Sequence, residues 1–301
     1  MAKEVDFIID VDGGIFEKYL PKDFDGSKYA VWRISCVKPE TERQWIKRSF
    51  KRKIKETLLM NFFGDKNCKP GTNHKIYCVD KWTAKELKDY WGINSEEIYL
   101  YPEIKVNELI LKKNSEKKNQ VVVFGRIAPN KSIEESVEIF TFGTKEFPDY
   151  KLKIMGGATA DTEEYIKRLK DLIDELGISG KVEIIKSPPF NELKKILQES
   201  KIIIDSQKEI NLTMTSIEAM AAGNIVLGYK NSGGFLDILE NGKFGYGFLT
   251  VEEGGKKLKE IIEKIEKGKI NINASIKRAQ DFNKERFIRT LKAILGENDL
   301  Q

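Results

Sequence analysis

Three groups of residues have the types and spacing to do chemistry. The first is a set of loops in the second half of the chain: Gly125-Arg126 with Lys131, Gly156-Gly157, Ser187-Pro188-Pro189, Ser206 to Thr213, and Ser232-Gly233-Gly234. Glycine lets a backbone approach a ligand closely, and Arg and Lys bring positive charge, so this set suits a phosphate-bearing ligand. The second is Asp10-x-Asp12-Gly at the end of the apolar run DFIID, where two carboxylates could share a divalent cation. The third is the stretch 43–55, RQWIKRSFKRKIK, with seven Lys or Arg and no acid. Three cysteines (Cys36, Cys68, Cys78), odd in number and far apart, with no CxxC or Cys/His cluster and a single histidine (His74), argue against a disulfide framework or a structural zinc site.

The elements that must position these groups follow from apolar periodicity. In the first part of the chain, 5–9, 29–34, 75–79 and 98–102 read as strands. Ile46, Phe50, Ile54 and Leu58 mark an amphipathic helix, and 83–91 is a second helix with Thr83 as its cap. The polar run 112–119 (KKNSEKKN) is the expected linker. After it, strands at 121–125, 151–156, 181–185, 201–205 and 224–229 alternate with helices at 132–147 (capped by Ser132), 161–176, 191–200 and 214–222. Short continuous apolar strands alternating with helices predict an α/β fold with a parallel sheet covered on both faces. Such sheets bind ligands at the carboxyl ends of their strands, where the glycine and cation loops fall.

With 301 residues, 40% hydrophobic and 33% charged, the chain is long enough for two ordinary domains and is too apolar for disorder. Its net charge of +5 is modest. No apolar run is long enough to span a bilayer, and the first residues carry acids rather than a signal-type core, so a cytoplasmic location is expected.

Residues 121–240 resemble the donor-binding domain of the retaining GT-B glycosyltransferases of glycosyltransferase family 4. VVVFGRIAPNKSIEESVEIF is similar to that family's strand-Gly-Arg-x-x-x-x-Lys opening, and LKIMGG to its second strand and glycine turn. LGISGKVEIIKSPPFNELKKILQES is similar to its middle strand and helix, and MTSIEAMAAGNIVLGYKNSGGFLDIL to its nucleotide-binding helix and the Gly-Gly turn beyond. KIYCVDKWTAKELKDYWGINSEEIYLYPEI resembles the end of the family's first domain. The resemblance implies two Rossmann-like domains facing a cleft. The first, 1–114, is the acceptor side and looks shortened. The second, 115–301, binds the nucleotide-sugar, and its final helix at 275–295 commonly crosses back in that family.

The resemblance also implies roles. Arg126 and Lys131 match the basic pair that contacts the donor diphosphate. Glu218 matches the second acid of a Glu-x7-Glu motif and would hold the ribose hydroxyls. Met214 and Thr215 would offer backbone N–H groups to the phosphates, with Gly125, Gly156, Gly157 and Pro189 lining the donor. Glu209 stands one residue further from Glu218 than the motif asks, and Ile210-Asn211-Leu212-Thr213 replaces its usual Gly-Phe-Gly. Glu209 therefore reaches the sugar through a local bulge, or the role is lost. His74 does not match the family's donor-side histidine.

The implied activity is transfer of a sugar, with retention, from a UDP- or GDP-sugar to a glycan or lipid-linked acceptor, with no metal and no other cofactor. Residues 43–63 offer a surface for an anionic membrane, or equally a solvated basic face on a core-packed helix. No RNA-binding motif supports nucleic acid as a partner. Two alternatives stand beside this. The chain could bind a nucleotide-sugar or a partner transferase without turnover. DFIIDVDGG also resembles the nucleophile motif of haloacid-dehalogenase-type phosphatases, which would make Asp10 and Asp12 a Mg-dependent site.

Overall fold

The computed structural model describes residues 7–11, 25, 29–33, 74–102, 111–158, 162–208 and 211–295. The basic stretch 43–63, Asp12 and Glu209 lie outside the described residues. The chain divides into two units, Met1–Tyr99 with Phe287–Gln301, and Leu100–Arg286.

In the first unit, β1 (Ile8–Val11), β2 (Tyr29–Arg33), β3 (Lys75–Cys78) and β4 (Glu96–Glu97) pair in parallel in that order. Every residue of β2 is buried, as a strand covered on both faces requires. Its one charge, Arg33, lies over the Trp91 ring, 5.0 Å from the centroid. Helix α1 (Lys81–Trp91) starts at Asp80, whose carboxylate accepts from the Thr83 N–H at 2.7 Å. It stops at Gly92, where φ is +68°. Ile76, Cys78, Leu87 and Ile93 form the core beneath it. The chain end rejoins this unit, with Phe287 5.7 Å from the Trp32 ring.

The second unit carries β5 (Gln120–Phe124), β6 (Lys151–Gly156), β7 (Val182–Lys186), β8 (Ile202–Asp205), β9 (Ile225–Tyr229) and β10 (Tyr246–Phe248). All are parallel, in the order β10-β9-β8-β5-β6-β7. The chain builds outward from β5 to β7, returns to place β8 on the free side of β5, and then builds outward the other way. That reversal opens a crevice at the carboxyl ends of β5 and β8, the switch point where doubly wound sheets bind ligands. Helices α2 (Ile133–Gly143), α3 (Thr162–Glu175), α4 (Phe190–Glu199) and α5 (Met214–Ala221) follow the first four strands, and α6 (Val251–Glu266) follows β10. Val121, Ile154, Ile204 and Leu227 of the sheet pack with Phe140, Leu169 and Ile261 of the helices in one core. Helices α2 and α6 touch through glycines: a Cβ at Gly143 would lie 2.8 Å from the Gly255 carbonyl.

Several expectations need correction. Asp80, not Thr83, caps α1: its extended backbone lets its carboxylate accept the N–H of Thr83, which itself lies inside the first turn. Residues 98–102 do not form the expected strand; pairing with β3 is confined to Glu96–Glu97, and the Ile98 N–H then closes onto the Cys78 carbonyl at 2.7 Å. Ser132 takes a left-handed conformation and makes no side-chain cap. The run 112–119 falls inside the second unit, where Lys117 is buried. The single helix at 275–295 is two, α7 (Asn273–Gln280) and α8 (Lys284–Leu295), interrupted at Asp281–Asn283, where the Asn283 carboxamide instead takes the Arg286 N–H at 2.7 Å.

Candidate functional site

The crevice is built first from backbone. Strand β5 ends at Phe124, and Gly125 follows with φ +144° while its N–H donates to the Met155 carbonyl at 3.1 Å. Strand β6 ends at Gly156, φ +155°, where any Cβ would sit 1.5 Å from the Gly125 carbonyl oxygen. The two strand ends are thus pressed together in a way only glycine allows. Gly157 continues the contact: its carbonyl accepts from Ile127 N–H at 3.0 Å, and its open side faces the Arg126 stem.

The cations come next. Arg126 is exposed at the mouth. Lys131 ends a short helical turn, Pro129–Lys131, that Ala128 and Pro129 initiate. Its ammonium donates to the Gln207 side-chain carbonyl. Burial lowers the Lys131 pKa and the Arg126 charge lowers it further, while Asp205 acts in the opposite sense. The small recess at the switch point is lined by Gly125, Arg126, Lys131, Asp205, Ser206 and Gln207 among others.

Helix α5 supplies the third part. Its N-cap residue, Thr213, makes no side-chain capping bond to the backbone N–H groups of the first turn, and that turn holds no acidic residue. By contrast α2, α3, α4 and α6 each carry one or two glutamates there. The Met214 and Thr215 end of α5 therefore keeps its partial positive charge unmatched by any acid of its own. It stands beside Gly125, since a Cβ on that glycine would lie 3.9 Å from the Thr215 methyl. On its other side the Gly233-Gly234 turn closes in, so that a Cβ at Gly234 would strike the Thr213 hydroxyl at 2.3 Å. Glu218 lies on α5 and is buried, at 6% exposure.

The structure thus brings Gly125, Arg126, Lys131, Gly156, Gly157 and the start of α5 to one crevice. Pro189 is exposed at the head of α4, at the carboxyl end of β7. That strand is two places from the switch point, and the loop is tied to β6 by Ser187 N–H to the Gly156 carbonyl, 2.8 Å. Asp10 is buried in the first unit and accepts from the Tyr29 hydroxyl at 2.6 Å. Sequence reasoning missed Asp205 and took Gln207 only as part of the Ser206 to Thr213 loop. The available signal for Asp205 was an acid directly after the apolar run of a strand beside the switch point. A larger cavity of about 740 Å³ lies at the opposite, amino end of the same strands, lined by Leu111, Lys112, Lys201, Ile265 and Ile272 among others.

Two parallel-sheet Rossmann-like regions with this crevice define the α/β fold of the GT-B glycosyltransferases. The Anabaena HepE crystal structure in complex with UDP is similar at a TM-score of 0.68 and 15% identity, over 90% of this chain and 72% of that one. The chain belongs to the family described as glycosyl transferases group 1, which matches residues 107–285. Among its relatives is the Xenopus laevis GDP-Man:Man(3)GlcNAc(2)-PP-Dol alpha-1,2-mannosyltransferase, 30% identical over 168 residues. That match covers 52% of this chain and 34% of the relative, so the chain spans about a third of that protein's length. The Xanthomonas oryzae GDP-mannose:cellobiosyl-diphosphopolyprenol alpha-mannosyltransferase is 28% identical over 105 residues, 35% of this chain and 27% of that protein.

Proposed function

We propose that the protein transfers a hexose, mannose first among the candidates, from a nucleoside-diphosphate sugar to a lipid-linked glycan acceptor, with retention at the anomeric carbon and without a metal. The observation that carries this reading is the convergence of Arg126, Lys131 and the start of α5 on the switch-point crevice. A pyrophosphate needs what that crevice offers: two fixed cations and a helix N-terminus. GDP-mannose is favoured over a UDP-sugar because both named relatives use it. A lipid-linked acceptor is favoured for the same reason, and it gives the basic segment 43–63 a membrane surface to meet.

In the reaction, the anomeric C–O bond breaks and the nucleoside diphosphate leaves with the bonding electrons. The acceptor oxygen forms the new bond on the same face, and its proton passes to the departing diphosphate. Negative charge grows on the leaving group as the bond breaks, so Arg126 and Lys131 stabilise the transition state more than the bound donor. Supplying that charge from side chains removes the need for a divalent ion. Glu218 would hold the ribose, and Glu209, one residue out of the family spacing, would face the sugar.

The test is transfer from GDP-mannose, with UDP-glucose and UDP-N-acetylglucosamine as controls, to a short polyprenyl-diphosphate glycan. Turnover that survives EDTA and yields the retained anomer by NMR supports the whole reading. Turnover lost on chelation, or an inverted product, removes the corresponding part. Binding of GDP-mannose without any turnover would leave a nucleotide-sugar-binding protein.

A further inference from the structure

The end of β8 contacts both the Lys131 turn and the start of α5 through three consecutive residues. Asp205 faces α5: its carboxylate accepts from the Ser216 hydroxyl at 3.0 Å, and Ser216 in turn accepts from the Thr213 hydroxyl at 3.0 Å. Ser206 faces the Lys131 turn: its hydroxyl donates to the Ser132 carbonyl at 2.6 Å and lies 2.7 Å from the Ser136 hydroxyl of α2. Gln207 faces Lys131 itself, accepting from its ammonium, and its own N–H points back to the Asp205 carboxylate at 3.4 Å. Lysine, glutamine, aspartate, serine and helix start form one connected chain of contacts behind the anion site.

We propose that Asp205 is the positioning residue of this site, its carboxylate holding the Lys131 ammonium and the first turn of α5 in a single arrangement that fits one pyrophosphate. The proposal rests on the crevice being a nucleoside-diphosphate site. Asp205 lines the recess beside Lys131, and its carboxylate is hydrogen-bonded by Ser216, Thr213 and Gln207. The charges that bear on Lys131 come from two directions. Asp205 reaches it from β8 and Arg126 from the turn after β5. The glutamates at the head of α2 are engaged elsewhere, Glu134 with the Tyr165 hydroxyl and Glu135 with Lys208. Among the described residues, Asp205 is therefore the one anion acting on a lysine that burial and Arg126 both push toward neutrality. Burial likewise raises the Asp205 pKa, while its hydrogen bonds and Lys131 oppose that shift, so each member of the pair sustains the other's charge.

The experiment is calorimetric titration of GDP and UDP from pH 6.5 to 9.5 into the wild-type chain and into Asp205→Asn, Ser216→Ala and Lys131→Ala. Wild-type affinity is expected to fall on the alkaline side as Lys131 loses its proton, and Lys131→Ala to lack that limb. Asp205→Asn should move the limb down by about one pH unit, the shift an adjacent opposite charge commonly produces. Ser216→Ala keeps the carboxylate and should weaken binding several-fold without moving the limb. A uniform loss at all pH values in Asp205→Asn, or a limb that stays where the wild type has it, overturns the proposal. Should Asp205→Asn fail to fold, a Ser216→Ala protein with wild-type affinity does the same. No binding of either nucleotide to the wild type instead sinks the underlying site assignment.

Discussion

At the scale of single residues, the crevice separates groups that act on a ligand from groups that let it approach. Arg126 is exposed and Lys131 ends a surface turn, so removing either leaves the core untouched. Arg126→Ala and Lys131→Ala should each lower kcat about a hundredfold to a thousandfold, the range for loss of one preorganised electrostatic donor. Circular dichroism and Tm should be close to wild type; steady-state kinetics with GDP-mannose reads the first effect and thermal melting the second. Gly156 is the opposite case. A methyl there meets the Gly125 carbonyl at 1.5 Å, in a backbone conformation that disfavours side chains. Gly156→Ala should cost about 3 kcal/mol or more, since strain and overpacking act together, and urea denaturation measures it. Arginine, lysine and glycine could be picked from the sequence because their chemistry is local. Asp205 gave only a weak signal, an acid at the end of an apolar run, because its neighbours Ser216 and Gln207 are brought to it only once the loop after β8 folds back and α5 is in place.

At the scale of elements, the strands of the second unit were legible because a parallel strand covered on both faces must be apolar along its whole length. Strand β4, two exposed glutamates, gave no such signal, and its pairing depends on β3 alone. The break between α7 and α8 was hidden because amphipathic spacing continues across it. Helix α5 shows an arrangement no periodicity reveals. Its C-terminal end is closed by Lys117, whose buried ammonium donates to the Ala222 and Gly223 carbonyls at 2.8 and 2.7 Å. Burial and the nearby Lys112 lower the Lys117 pKa to about 7, from an ordinary value of 10.5. Between those two values the unfolded chain holds a proton that the folded one has lost, so stability rises with pH across that window. The urea midpoint should therefore be higher at pH 9 than at pH 7, and Lys117→Met should flatten the difference. An unchanged difference in that variant would mean another group titrates.

At the scale of the whole molecule, each unit carries its own parallel sheet and core, and the chain end returns to the first unit through Phe287. Among the described residues no helix is long and apolar enough to cross a membrane. In the second unit the switch-point crevice competes for a ligand with the larger cavity at the amino ends of the strands. Composition and charge do not choose between them. The choice follows from the strand order, which turns at β5 and β8 and leaves two cations and an uncapped helix at the same edge. Amide hydrogen exchange with and without saturating GDP tests this directly. Slowing confined to 125–131 and to the 213–218 turn, in both segments together and at a common GDP concentration, is the predicted result. Slowing around 111–115 and 265–276 with the crevice unaffected, or in one crevice segment without the other, would contradict a shared pyrophosphate site.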